Sequence, residues 1–460
     1  VSIGAREGET TERKGVRMKH VGLFVVVCVV ATASVANAKI WNVPGECPTI
    51  QAGIDSAAAG DTVLVADGTY TGDGNRDIDF MGKAILVTSE NGPEVTVIDC
   101  EGTEEDPHRG FHFHSGEDAS SVVQGFTITN GYAGGDGTEN YGGAILCDAS
   151  SSPTIVGNAI TGNTAAYYGG GICCYDYSSP TIEGNTIAGN TAYWYGGGGI
   201  LCRYSSPTIE GNTVIGNKAI FGGGVHCSYS SPAIEGNTIT GNTADYGGGI
   251  DCSGYSSPTV LNSILWADSA GSGQEIYVDG TSSIDITFSD IEGGWEGEGN
   301  IDADPLFVLS EHRDYRLLWG SPCIDSGHPD SLDPDGTRSD MGAYPFDQSK
   351  PLTIYLTPDT TVITRPGELG VTYTLINIEP DPWTFWLRSD VTLPNGKPYP
   401  GNPIIGPKKV TLPGNKNIQR HITHPIPGAA PLGIYTYKSR IGLPPGQLID
   451  EDRFEFEVVE

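Results

Sequence analysis

Basic residues are scarce in this chain. Its 460 residues include Lys+Arg 25 against Asp+Glu 57, for a formal charge of -32. Nothing forms the cationic footprint that nucleic-acid phosphate needs, which excludes nucleic acid as a partner class. The same charge disfavours a polyanion unless cations bridge the two. Long apolar runs are missing as well, apart from Val21–Val35. That run is too short for a membrane span. It follows the basic start Met18-Lys19-His20 and precedes the small-x-small site Ala36-Asn37-Ala38. Residues 18–38 therefore read as an export signal, and 1–17 as an over-extended start. No later segment is a span and no lipidation motif is present. The expectation is a monomer, secreted or held at the cell surface of a bacterium.

A helical composition is lacking too. Gly 65 and Pro 30 are too many for a helical protein, and the strict three-residue period of collagen is absent. What is present is a unit that recurs five times between Gly142 and Leu265. It consists of a glycine run, Ile-x-Cys and Ser-Ser-Pro-Thr-Ile, followed in the first four copies by Gly-Asn-x-Ile-x-Gly-Asn-Thr-Ala. Aligned on Pro153, Pro180, Pro207, Pro232 and Pro258, the copies are 27, 27, 25 and 26 residues apart. Each has three short β segments, centred in the first copy on Ile145-x-Cys147, Ile155 and Ile160. Segments this short bury an apolar face only when copy stacks on copy, which predicts three parallel sheets around a narrow core. Asn158, Asn185, Asn212 and Asn237 recur at one turn, and Asn163, Asn190, Asn217 and Asn242 at another. Both sets read as stacked amide ladders. The glycine runs read as sharp corners, not phosphate loops, because no helix follows them.

Nine cysteines follow the signal, an odd number. The cysteine two residues after each isoleucine shares its core face, whereas Cys173 faces outward. Strands about 4.8 Å apart allow a Cys147–Cys174 or Cys202–Cys227 disulfide, or equally a stack of free thiols. A linear stack does not offer the convergent ligands of a metal site.

Residues 39–348 are thus expected to form the solenoid, with a capping helix over 49–59. Phe111 and Phe113 take the Ile-x-Cys register one coil before Cys147. Near the end, Asp333-x-Asp335-Gly336 and Asp340 read either as calcium ligands or as a hydrogen-bonded turn, with Arg338 placed to neutralise the cluster. From 349 to 460 the glycine–asparagine pattern stops and short alternating strands with turn signals follow. These predict an immunoglobulin-like or fibronectin-like antiparallel β-sandwich, with Phe385, Tyr399 and Tyr435 in its core or rim.

Residues 41–347 resemble the right-handed parallel β-helix proteins of the pectin-lyase-like superfamily. The resemblance rests on Pro48-Thr49-Ile50-Gln51-Ala52 through Gly60-Asp61-Thr62-Val63. Gly142-Gly143-Ala144-Ile145 and Ile160-Thr161-Gly162-Asn163 are similar to repeats of polymorphic outer-membrane proteins, with Ile or Val where those have Phe. The resemblance implies an all-β right-handed helix. It also implies that any activity, such as that of a polysaccharide lyase, lies on the outer face of one sheet.

Beside the buried Ile-x-Cys positions, Asp148, Arg203, His226 and Asp251 are expected to point outward on neighbouring rungs as acid, base and charge-stabilising candidates. Two aromatic rows compete with them for function. Tyr177, Tyr204, Tyr229 and Tyr255 sit just before the prolines, and Tyr168, Tyr195, Phe221 and Tyr246, with Trp194, precede the glycine runs. Rings in such rows either support one another or form a platform for sugars. The leading expectation is a non-catalytic protein that binds extracellular polysaccharide or cell-surface glycan, and the alternative is a polysaccharide-degrading enzyme, lyase before hydrolase.

Overall fold

The computed structural model describes residues 38–444 and 446–460. The export-signal reading lies outside these residues except for Ala38, as does the reading of 1–17. From Ile40 the chain winds a right-handed parallel β-helix. One sheet has ten strands, from Ile40–Val43 to Asp285–Thr287. A second has nine, from Gly68–Tyr70 to Asp290–Ile291, and a third has seven, from Phe111–Phe113 to Ile276–Val278. A fourth strip, not expected from the sequence, is built from dipeptides: Tyr132–Ala133, Thr164–Ala165 and Thr191–Ala192. Two residues per coil are too few to show a strand pattern, yet each pairs in phase with its neighbours.

Rungs stack without offset. Ile145 pairs with Ile172 and Cys147 with Cys174, and Phe111 and Phe113 take the same positions one coil earlier. Ile145, Ile172, Ile200, Val225 and Ile250, with Cys147, Cys174, Cys202, Cys227 and Cys252, are fully buried in one continuous core. Burying each isoleucine contributes about 1.5–3 kcal/mol. Ile50–Ser56 forms the capping helix, shorter than expected, with the Thr49 hydroxyl accepting from the amide of Ala52. Its Gly53 lies against Val63 and Val43, where a Cβ would come within 2.7 Å of the Val63 side chain.

Both amide ladders form. Asn163 donates to Asn190, Asn190 to Asn217 and Asn217 to Asn242, at 3.0, 3.0 and 2.9 Å. Each of these amides also donates to the coil behind it, as Asn190 does to Ile160 O at 2.9 Å. The ladder ends on Asp268, whose Oδ1 accepts from Asn242 Nδ2 at 2.9 Å.

The disulfide expectation is overturned. All nine cysteines among the described residues are free and buried. In register, Cys174, Cys202 and Cys227 point the same way from parallel rungs. Parallel Cβ vectors keep the rung spacing of about 4.8 Å and do not converge to the ~3.8 Å Cβ separation that a disulfide requires. Burial raises the thiol pKa values of Cys147, Cys174 and Cys202, and hydrogen bonding between neighbouring thiols followed by burial raises those of Cys227 and Cys252, so the stack is protonated.

Beyond Lys350 two sheets face each other. One contains Leu352–Pro358, Gly367–Asn377 and Lys416–Ile426. The other contains Val362–Thr364, Gln447–Val459, Gly433–Leu443, Trp383–Thr392 and Ile405–Leu412. All pairings are antiparallel except Val362–Thr364 with Gln447–Val459. Phe385 and Tyr435 are core residues, and Tyr399 lies exposed at the rim. The solenoid end holds this module through Asn417 Nδ2 to Trp319 O at 2.8 Å and through Arg316, which bridges Asp314 and Asp452.

Two outcomes test this account. Thiol titration of the protein from Lys39 onward should detect nine free thiols in denaturant and almost none in the native state, with no change after reductant; fewer in denaturant would restore a disulfide. Asn190→Ala removes one ladder rung and strands buried partners, which should lower stability by about 1–3 kcal/mol in urea unfolding. Asn91→Ala, on an exposed side chain, should leave stability nearly unchanged.

Candidate functional site

The glycine runs bring the chain back across the strand that follows them. Gly169 has φ 66, and a Cβ there would lie 2.6 Å from Ile172 O and 2.7 Å from Cys173 Cβ. Gly170 stacks on the next coil, where a Cβ would meet Gly198 O at 2.6 Å. The aromatic residue before each run is thereby folded over the outward side of the sheet.

This corrects the expectation of a free outer face. Leu146, Cys173, Leu201 and Asp251 are 0% exposed and His226 is 5% exposed. Tyr141, Tyr168 and Tyr175 pack on Leu146, Cys173 and Leu201. Phe221 lies over His226, with ring centroids 5.8 Å apart.

The four catalytic candidates separate into three places. His226 and Asp251 are adjacent rungs, with Nε2 to Oδ1 at 3.2 Å, and Ser253 Oγ lies 3.1 Å from the same nitrogen. They are brought together, but beneath the surface. Arg203 does not join them. Its guanidinium carbon lies 5.0 Å from the ring centre of Tyr168, 5.5 Å from Tyr204 and 6.0 Å from Tyr175. Asp148 pairs instead with His112, at 3.2 Å. Leu146, in the strand leading to Asp148, pairs with Cys173, which pairs with Leu201, His226 and Asp251 in turn. Asp148 and Asp251 thus lie four rungs apart, roughly 19 Å, beyond the spacing of a glycosidase pair.

Burial pushes the Asp251 carboxyl up to about 7. Burial, and then the charge of Arg203, pushes the His226 imidazole down to about 3. The pair is therefore a neutral ring beside a carboxyl that holds its proton through mildly acidic pH.

The tyrosines before the prolines are on the surface. Tyr177, Tyr204, Tyr229 and Tyr255 are 74, 37, 48 and 72% exposed. All four have left-handed backbone, with φ of 62, 52, 53 and 63°. Tyr204 and Tyr229 stack with centroids 5.0 Å apart and planes at 21°, and Tyr229 and Tyr255 follow at 6.2 Å and 41°. The rings are exposed but not coplanar, so the inner ones present edges and hydroxyls, and Tyr177 and Tyr255 at the ends are the most open. Trp194 is 65% exposed beside Tyr193 and Tyr195. In the second row, Tyr168 and Tyr195 stack at 5.0 Å and Phe221 and Tyr246 at 5.4 Å. Arg203 stands between the two rows. Sequence reasoning passed over Tyr141 and Tyr193. The signal for Tyr141 was its place before Gly142, matching Tyr168 before Gly169.

The calcium candidates are engaged with the backbone. Asp340 accepts from the amides of Asp325 and Phe346 at 2.7 and 2.6 Å. Asp333 accepts from the amide of Asp340, and Asp335 from those of Thr337 and Gln348. Arg338 turns away and donates to Gly327 O at 2.6 Å. Among the described residues no group of three or more His, Cys, Asp or Glu side chains is arranged to hold a metal ion, and no helix is long and apolar enough to cross a membrane.

The pH dependence follows from the sign of each shift. The unfolded Asp251 carboxyl titrates near 4, so its contribution to stability is full below about pH 4 and is lost as the pH rises to about 7. His226 acts oppositely, its contribution being lost as the pH falls from about 6.5 towards 3. Asp251→Asn should therefore raise the melting temperature at about pH 8 and leave it nearly unchanged at about pH 4. An equal effect at both pH values would contradict the buried-carboxyl account.

Among known proteins, the family described as right handed beta helix region matches residues 83–265. No curated protein matches the chain. Several solved structures resemble short parts of it. An alkylpurine DNA glycosylase of Pseudomonas fluorescens is 15% identical over 24% of this chain and 31% of its own, with a TM-score of 0.20. The chain thus spans about a third of that protein's length. The CARDB domain of a Pyrococcus furiosus protein is 15% identical over 24% of this chain and 94% of its own, with a TM-score of 0.18. A beta-glucosidase from Listeria innocua is 16% identical over 28% of this chain and 19% of its own, also with a TM-score of 0.18. Likenesses this partial do not bear on function. What the comparisons support is a right-handed β-helix, and nothing in them points to the pectin-lyase-like superfamily or to polymorphic outer-membrane repeats in particular.

Proposed function

We propose that this is a secreted or surface-held, non-catalytic protein that binds a neutral glycan along the tyrosine row of its solenoid. The observation that carries this reading is the backbone of the row. Tyr177, Tyr204, Tyr229 and Tyr255 occupy one left-handed position in four successive coils. That position costs a non-glycine residue about 1–3 kcal/mol, and glycine would avoid the cost. Fully or half exposed, the rings recover little of it by burial, which favours a role for them outside the fold. Their backbone position repeats at the rung spacing of about 4.8 Å, and their hydroxyls and ring edges suit the hydroxyls and C–H faces of a sugar chain. The charge of -32 disfavours a polyuronate, so the preferred polymer is uncharged.

The second reading is a polysaccharide-degrading activity. The accessible His112–Asp148 pair favours it, with the His114 ring 4.3 Å from that of His112. The dispersal of Arg203, His226 and Asp251 weighs against it.

Both readings are tested by incubating the protein with a panel of neutral and acidic polysaccharides, with and without calcium. Binding is followed by affinity electrophoresis and cleavage by reducing ends and unsaturated uronate. Retardation by a neutral polymer, at least tenfold weaker in Tyr177→Ala/Tyr255→Ala, supports the binding reading. Retardation unchanged in that variant, or none with any polymer, removes it, and product that disappears in His112→Ala establishes the second.

A further inference from the structure

A second site lies in the C-terminal module, where the two sheets fail to close on each other. A three-stranded sheet covers a five-stranded one, and the covering edge strand is Lys416–Ile426. Its inward residues Ile422, His424 and Ile426 are only half-buried. Pro425, Pro427 and Pro431 have no N–H to extend a sheet past that strand. The result is a cavity of about 540 Å³ between the sheets. Leu369, Val391 and Phe456 form its walls, His424 and Tyr437 its floor and Tyr399 its rim. It sits five residues, roughly 17 Å, along the edge strand from Gln419, which donates to Val308 O of the solenoid end at 2.5 Å, and its lining residues all belong to the C-terminal module.

The lining carries no Asp, Glu, Lys or Arg. The floor is polar but internally satisfied. Tyr437 Oη is 2.9 Å from His424 Nε2 and also bonds the hydroxyl of Tyr373, which reaches Ser389 at 2.9 Å. Tyr435 donates to Pro431 O at 2.8 Å. A peptide segment in this cavity would bury its own amides and carbonyls with almost no free partners. Arg365, which donates to Ala430 O behind the lining, is already paired with Glu460, so a charged group would lose its hydration with no free counter-charge. A cavity of this volume falls within the ~300–1,000 Å³ range of small-molecule sites.

We propose that the C-terminal module binds a small, neutral, apolar molecule in this cavity, packed over the closed His424–Tyr437 pair. The site is independent of the glycan reading. Burial lowers the pKa of His424, in keeping with an uncharged floor.

The test uses the full chain and the neutral fluorophore N-phenyl-1-naphthylamine. The expected result is saturable one-to-one binding with a blue-shifted emission. Ala430→Trp and Ile404→Trp, which fill the cavity, should each weaken binding at least tenfold, and Tyr177→Ala on the solenoid should leave it unchanged. Hydrogen exchange of the unsubstituted protein adds a readout that needs no folded variant, in which the probe should slow exchange across 394–404 and 424–437. Absence of saturable binding, binding that survives in filled variants with native circular dichroism, or protection confined to the solenoid would overturn the proposal.

Discussion

The zero-offset stacking of one rung on the next is the constraint from which the rest of the solenoid follows. Because Ile172 lies on Ile145 and Cys174 on Cys147, each residue type meets its own kind along the axis. A slip of one residue would turn the Ile and Cys side chains out of the core. The same phase lets one asparagine amide serve two coils and lets glycine backbones approach more closely than any Cβ permits. It also places one tyrosine above the next, so order in the core is copied to the surface.

That order has consequences for chemistry. The glycine runs fold an aromatic layer over the outward side of the Ile-x-Cys sheet, and polar residues there become buried. His226 and Asp251 are then a buried pair, each held towards its neutral form by desolvation, while the residues with solvent in front of them are tyrosines held in a costly backbone conformation. Burial cost and backbone cost fall at different places on the coil, and the backbone cost is the one repeated from rung to rung.

The C-terminal module follows other rules. Its sheets are unequal in width, and its edge strand Lys416–Ile426 is mostly polar. The Arg316 cluster and Asn417 fix one end of the sandwich to the solenoid. Prolines follow the edge strand at the other end, where a mostly apolar cavity with the His424–Tyr437 pair as its floor lies between the sheets.

Much of this was legible in the chain. Period, sheet-forming segments, amide ladders, capping helix and the Phe111–Phe113 coil all followed from spacing, because a solenoid's contacts lie one repeat away and carry the same residue names. The strand Lys416–Ile426 carries little signal in the sequence, since its residues alternate only weakly and its place is set by pairing with Gly367–Asn377. The outward residues beside the cysteines were expected at the surface, because strand alternation says which side a residue faces but not what lies on that side. The exposed tyrosines were found in sequence, and their left-handed backbone and stacking were not. Periodicity determined the architecture because it acts through neighbours of known identity. Only the tertiary structure decided which faces are covered, whether thiols converge and where a cavity opens, because these depend on segments far apart in sequence meeting at particular angles.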